Sequence, residues 1–312
     1  MYSKQELEEV HQRILPYIHK TPVLYSSLVN EISGTDLFFK CENFQRMGAF
    51  KMRGATNAIL QLSEEQQKKG VVTHSSGNFA QALSLAAKSI GVPAYIVMPS
   101  SAPQVKKNAV KTYGGIITEC PPTLKDREET AQRIMKETGA SFLHPSNDTN
   151  VILGQGTAAI ELLQEHPDLD LIVTPVGGGG LVAGTSLAAH FFGKECRTIG
   201  AEPFEADDAY RSLKSGNIET NETTNTVGDG LRTQLGDKNF PVIQQYVSEI
   251  IRVEENEIIE ALRIIWERMK IVVEPSSATA LAAVLREKEK FQNKKVGIII
   301  SGGNVDLSQL LF

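Results

Sequence analysis

Four short glycine-bearing segments, each set where a strand-like run gives way to a helix-like one, constrain this 312-residue chain most. They are Gly48-Ala49-Phe50-Lys51-Met52-Arg53-Gly54-Ala55, His74-Ser75-Ser76-Gly77-Asn78-Phe79-Ala80-Gln81, Val176-Gly177-Gly178-Gly179-Gly180-Leu181 and Ile299-Ile300-Ser301-Gly302-Gly303-Asn304. In open α/β sheets such junctions lie outside the carboxyl ends of the strands, where ligands bind. The flanking pattern agrees: 37–40, 70–73, 94–98 and 115–119 read as strands, and 51–62, 78–90, 103–113 and 124–138 as helices. Segments 169–174, 180–191, 198–202, 254–269, 276–287 and 295–300 continue the alternation. Runs such as LIVTPV and VGIIIS are continuously apolar, as strands buried on both faces should be. The expectation is an α/β fold with parallel sheets wound on both faces. Polar 217–229 reads as a surface loop, and Trp266 and the isolated His11, His19, His144, His166 and His190 read as residues without a functional part.

Each glycine segment admits a plain alternative. In 176–181, four consecutive glycines let backbone N–H groups converge on an anion at a helix N-terminus, whereas the alternative is a flexible turn. The segment lacks the Lys-Ser/Thr of a Walker A loop and the GxGxxG spacing of a dinucleotide fold, so a phosphate cup of another kind is favoured. Lys51 opens a helix, where positive dipole potential lowers its pKa and suits it to Schiff-base chemistry, but most lysines are solvated surface charges. Ser75, Ser76 and Asn78 offer donors for a carboxylate, yet helix capping is the favoured reading of that segment alone. Ser301 ends a strand and is placed either to bond a ring nitrogen or simply to shape a turn. In Glu202-Pro203-Phe204-Glu205-Ala206-Asp207-Asp208, carboxylates at a strand-to-loop turn suit Mg2+ or Ca2+, against the alternative of an acidic loop.

Composition excludes several classes. The net charge of -5 gives no basic excess for nucleic acid or an anionic membrane. No apolar run reaches the ~20 residues of a membrane helix, and the charged start MYSKQELEEVHQRI does not read as a signal peptide. Cys41, Cys120 and Cys196 form no CxxC pair, which fits a reducing, cytoplasmic setting.

Taken in order, the motifs resemble the fold-type II pyridoxal-phosphate enzymes, in particular the serine/threonine dehydratase and serine racemase branch. The resemblance runs from Thr21-Pro22-Val23 and Phe39-Lys40-Cys41-Glu42-Asn43-Phe44-Gln45 to Ser301-Gly302-Gly303-Asn304. It implies two doubly wound domains, a large one from 1–69 and 148–312 and a small one from 70–147, with the cofactor between them. It implies that Lys51 holds pyridoxal phosphate, Asn78 bonds the ring hydroxyl, Gly177, Gly178, Gly179, Gly180 and Leu181 bind the phosphate, and Ser301 meets the ring nitrogen. A hydroxyl cannot hold that nitrogen firmly protonated. Ser75, Ser76, Gly77 and Asn78 would meet the substrate, and Arg127 its carboxylate, unless Arg127 is a solvated helix charge. Glu202, the Ala206 carbonyl and Asp208 match a divalent-cation site (Mg2+, Ca2+ or Mn2+) of the racemase-like enzymes.

The implied activity is elimination of ammonia from L-serine, L-threonine or a related 3-hydroxy amino acid, with Lys51 as the base. Ser76 matches the serine that reprotonates the opposite face in racemases, so L-serine to D-serine conversion is the alternative. GAFKMRGA resembles variants linked to hydroxyaspartate dehydration, so threo-3-hydroxyaspartate is a further candidate substrate. Phe79 departs from the usual GNHxQ histidine and puts the local substrate contacts in question. A β-replacing synthase and a nonenzymatic binding module are the rival classes. The family is usually dimeric, and the chain end at SGGNVDLSQLLF leads us to expect no isoleucine-controlled regulatory extension.

Overall fold

The protein is described by a computed structural model, which covers residues 2–307. Ser301 to Val305 fall within it, whereas 308–312 of the terminal segment lie outside the described residues. Its strands are β1 (Val23–Tyr25), β2 (Asp36–Cys41), β3 (Val71–His74), β4 (Ala94–Pro99), β5 (Ile116–Cys120), β6 (Ser141–Phe142), β7 (Leu171–Pro175), β8 (Arg197–Pro203), β9 (Val247–Val253) and β10 (Lys295–Ile300).

They form two sheets, ordered β1-β2-β10-β7-β8-β9 and β5-β4-β3-β6. The second is parallel throughout. The first is parallel apart from edge strand β1, which runs antiparallel to β2. An antiparallel edge on a parallel sheet is common in doubly wound folds, because an edge strand need not return through a crossover. β10 from the end of the chain is inserted between β2 and β7, so both ends of the sequence build the six-stranded sheet. Every residue of β7 is buried, as is all of β10 but Lys295, which matches their continuous hydrophobicity.

Helices Thr149–Glu165 and Gly180–Phe192 cross closely. A methyl on Gly156 would lie 2.5 Å from Gly184 O, so only glycine permits this approach. The predicted helix over 254–269 is α-helical only for Glu255–Ile264 and widens to a π-helical turn at Ile265–Met269. Trp266 there is packed against the core, and its indole donates to Val273 O (3.0 Å). Residues 217–228 carry no regular structure and are mostly exposed, as expected of a surface loop. Among the described residues, no helix is long and apolar enough to cross a membrane.

Candidate active site

Lys51 is the first residue of the helix Lys51–Leu60, and the end of β10 positions it. Phe50 N donates to Ser301 O (2.9 Å), Gly303 N to Gly48 O (2.9 Å), and Ala49 bridges Gly302. Gly48 holds φ +80°, and a methyl there would come within 2.8 Å of Asn304 Oδ1, so both its conformation and its neighbour require glycine. Lys51 Nζ donates to Pro145 O (2.7 Å) and lies 4.9 Å from the Phe50 ring and 5.8 Å from the Phe79 ring. Desolvation lowers its pKa to about 8, against the opposing pull of the Glu274 carboxylate. The lowered pKa is the one expected of a helix-start lysine, but the larger cause is burial between aromatic rings.

Asn78 starts the helix Asn78–Ile90. Its Nδ2 donates to Glu274 Oε1 (2.9 Å) and Oε2 (3.1 Å), and its Oδ1 accepts from Asn304 Nδ2 (2.9 Å). This fixes the orientation of the amide and leaves Nδ2 one further hydrogen. Helix capping, the favoured expectation for the serines before it, is not what the structure shows. The N-cap is Gly77, without a side-chain cap, and Ser75 Oγ accepts only Gly77 N at 3.4 Å. Among the described residues no group bonds the Ser76 hydroxyl. The serines are thus left available for a ligand.

The glycine segment is closely packed, which excludes the flexible-turn alternative. Methyls on Gly177, Gly178, Gly179 and Gly180 would lie 2.9, 2.4, 2.5 and 3.0 Å from their nearest neighbours. Asn239 Nδ2 locks the segment by donating to Gly178 O (2.8 Å) and Ser146 O (3.1 Å). Among the described residues, no protein acceptor takes the N–H of Gly177, Gly178, Gly179, Gly180 or Leu181. All but Gly178 are buried, and buried donors are seldom left without a partner. Ahead of a 13-residue helix, this row of amides fits a phosphate.

Ser301, 3% exposed, has its Oγ 2.9 Å from Ser277 Oγ. Arg127 is part-buried on the helix Leu124–Thr138, where its Nε reaches Thr123 O (3.4 Å) and its charge helps to lower the pKa of neighbouring His74 after the larger effect of burial. No hydrogen bond ties it to Ser75, Ser76 or Asn78.

Glu202 and Asp208 are both fully buried, and Ala206 lies between them at 1% exposure. Glu202 accepts from Ala209 N (3.1 Å) and Tyr210 N (2.9 Å), and Asp208 from Leu235 N (2.8 Å) and Asn221 Nδ2 (2.8 Å). Their hydrogen-bond donors are all neutral. Desolvation, and then the Asp208 charge, push Glu202 well above the usual carboxylate range, while desolvation raises Asp208 to about 6. Among the described residues no three His, Cys, Asp or Glu side chains could hold a metal together. A cation here would rest on two carboxylates, a carbonyl and water, a donor set that fits a hard divalent ion.

Two residues without a sequence signal also belong to this region. Glu274 is 3% exposed, and desolvation raises its pKa to about 7. It occupies the N-cap of the helix Pro275–Arg286 but turns its carboxylate to Asn78, a direction that Glu-Pro in a sequence does not disclose. His144 accepts from Asn147 N (2.8 Å) and Ser146 N (3.2 Å) at Nδ1. Burial, then the charges of His74 and Lys51, lower its pKa to about 4, so it is a neutral imidazole protonated at Nε2.

Known proteins resemble this chain over nearly its whole length. It is 50% identical to a beta-hydroxyaspartate dehydratase of Paracoccus denitrificans, covering 98% of this chain and 97% of that protein. It is 51% identical to a serine racemase of Dictyostelium discoideum, with 98% and 96% coverage. The crystal structure of that racemase superposes with a TM-score of 0.93 over 97% of this chain and 98% of the other. A threonine deaminase (source given as T.th.) superposes with a TM-score of 0.93 at 40% identity, over 99% of this chain and all of the other. The family model described as "Pyridoxal-phosphate dependent enzyme" matches residues 14–302, and the chain therefore belongs to the pyridoxal-phosphate dependent enzymes.

Proposed function

We propose that this protein eliminates ammonia from a small 3-hydroxy amino acid (L-serine, L-threonine or threo-3-hydroxyaspartate), yielding a 2-oxo acid. The observation that carries this reading is a single amine, Lys51, with its pKa lowered to about 8, in the same site as a row of acceptor-less buried amides. Lys51 would hold pyridoxal phosphate covalently, the N–H groups of Gly177 to Leu181 its phosphate, Asn78 its ring hydroxyl and Ser301 its ring nitrogen. Bound there, the cofactor supplies an electron sink for charge developing at the substrate α-carbon. Ser75, Ser76, Gly77 and Asn78 would bind the substrate carboxylate, with Arg127 reaching it from the Leu124–Thr138 helix. Lys51, once displaced by the substrate amine, accepts the α-proton. Its lowered pKa makes the neutral, accepting amine far more abundant near pH 8 than in a solvated lysine. Phe50 and Phe79 exclude water around that nitrogen. We place the site between a domain formed by 1–69 with 148–312 and one formed by 70–147, a division supported by the two sheets.

The unbonded hydroxyl of Ser76 favours a second reading, racemisation of serine, in which Ser76 delivers a proton to the opposite face of the α-carbon. The Dictyostelium relative, named a serine racemase, supports it. Ser76→Ala is expected to lower D-serine formation from L-serine by about 100-fold or more while sparing pyruvate formation. Equal loss of both products would remove the face-specific role. A panel of L-serine, D-serine, L-threonine and threo-3-hydroxyaspartate, assayed for oxo acid and for inverted amino acid, tests the whole reading. Neither product from any of the four would contradict it.

Glu202, the Ala206 carbonyl and Asp208 would hold Mg2+, or Ca2+ or Mn2+ in its place, as a structural or activating ion. Mg2+ at a hundredfold excess over its Kd should stabilise the protein by about 2.7 kcal/mol. Thermal unfolding with Mg2+ and with chelator measures this, and Asp208→Asn should abolish the difference. A homodimer is supported by exposed Tyr25, Leu28 and Ile32, the last two on one helix. Three free cysteines support a cytoplasmic setting.

A further inference from the structure

The hydroxyl of Ser277 makes three contacts with β10's exit segment. It accepts from Gly302 N (2.8 Å), donates to Gly302 O (2.7 Å), and lies 2.9 Å from Ser301 Oγ. A hydroxyl has one proton and two lone pairs. With the Ser277 proton on Gly302 O, the contact with Ser301 closes only if Ser301 is its donor. That leaves Ser301 Oγ with lone pairs alone for any ligand. The opposite arrangement turns the Ser277 proton onto Ser301 and gives up the short bond to Gly302 O. Ser277 is fully buried, so no water replaces the lost bond from the protein surface.

We propose that Ser277 directs the proton of Ser301 away from the cofactor pocket, so that Ser301 meets the ring nitrogen as an acceptor. This rests on the placement of Ser301 given above. Ser277 is a positioning residue, since it acts on the cofactor only through Ser301. Its effect is to favour the protonated ring nitrogen, because an unprotonated one would set its lone pair against that of Ser301 unless the Ser277–Gly302 bond were broken. A lone serine does not hold such a nitrogen protonated, but this pair biases it in that direction. Glu274, three residues before Ser277, acts at Asn78 in the same way, so the start of the helix Pro275–Arg286 sets hydrogen-bond polarity at two points of the pocket.

The test is 15N NMR of the enzyme loaded with pyridoxal phosphate labelled at the ring nitrogen, compared at one pH for wild type, Ser277→Ala, Ser301→Ala and the double variant. Ser277→Ala should lower the ratio of protonated to neutral nitrogen about fivefold, equivalent to about 1 kcal/mol or one ordinary hydrogen bond. Ser301→Ala should also move the resonance, and adding Ser277→Ala to it should move it no further. Ser277→Thr, which keeps the hydroxyl, should restore the wild-type position, and thermal melting verifies that each variant is folded. If Ser301→Ala moves the resonance and Ser277→Ala does not, or moves it toward protonation, the Ser277 inference is overturned while the placement of Ser301 stands. If neither substitution moves it, Ser301 does not meet the nitrogen, and placement and inference fall together.

Discussion

Lys51→Ala should reduce turnover of every hydroxy amino acid by at least about 10³-fold while leaving the fold intact. The loss is large because one nitrogen would serve as covalent anchor and as base. The fold should survive because Lys51 Nζ makes one hydrogen bond, to Pro145 O, and alanine is a strong helix former at a helix start. Lys51→Arg should be no better, since a guanidinium stays charged and cannot accept a proton. The rate of oxo acid release, measured beside the thermal midpoint, separates lost chemistry from lost structure. A variant retaining a tenth of wild-type turnover would remove Lys51 from the mechanism.

Glu161→Gln should destabilise the protein by about 3–5 kcal/mol, the largest expected effect on stability. Arg53, two residues beyond Lys51, is fully buried and forks between two carboxylates. Its Nε and Nη2 bond Glu42 (2.8 Å each), and its Nη1 and Nη2 bond Glu161 (2.8 Å each). Lys40 Nζ adds bonds to Glu161 (2.6 Å) and Thr21 O (2.7 Å). The four charges cancel, and each is at most 1% exposed. Removing the Glu161 charge leaves Lys40 and Arg53 to share Glu42 in a medium that cannot solvate the excess. The network also ties the start of the Lys51 helix to β2 and to the helix Thr149–Glu165, so cofactor affinity should weaken along with stability. Denaturant unfolding measures the first effect and cofactor titration the second. A cost under about 1 kcal/mol would show that the network relaxes without loss, as exposed ion pairs do.

The site is legible in sequence where chemistry coincides with a local backbone signal. Glycine rows between a buried strand and a helix mark close approach, and the structure places Gly177–Gly180 where no methyl fits at ordinary contact distance. The strands buried on both faces are legible from their unbroken hydrophobicity, as in β7 and β10. The helix Thr149–Glu165 announces itself poorly, because 13 of its residues are buried and two glycines interrupt it, so no polar face gives it a period. Its glycines serve packing: a methyl on Gly154 would lie 2.6 Å from Gly54 Cα. β9 and edge strand β1 are paired only by tertiary contacts. Glu274 and His144 escape for a related reason, since their partners stand 196 residues away or depend on one loop's turn. Phe79 reads in sequence as an anomaly in a binding motif. The structure shows it at 2% exposure, filling space beside the Lys51 amine.

The most direct test of the account is to reduce the cofactor-loaded enzyme with borohydride, digest it and find the modified lysine by mass spectrometry. The account predicts a pyridoxyl group on the peptide that carries Lys51. A group on any other lysine, or on none, would contradict it.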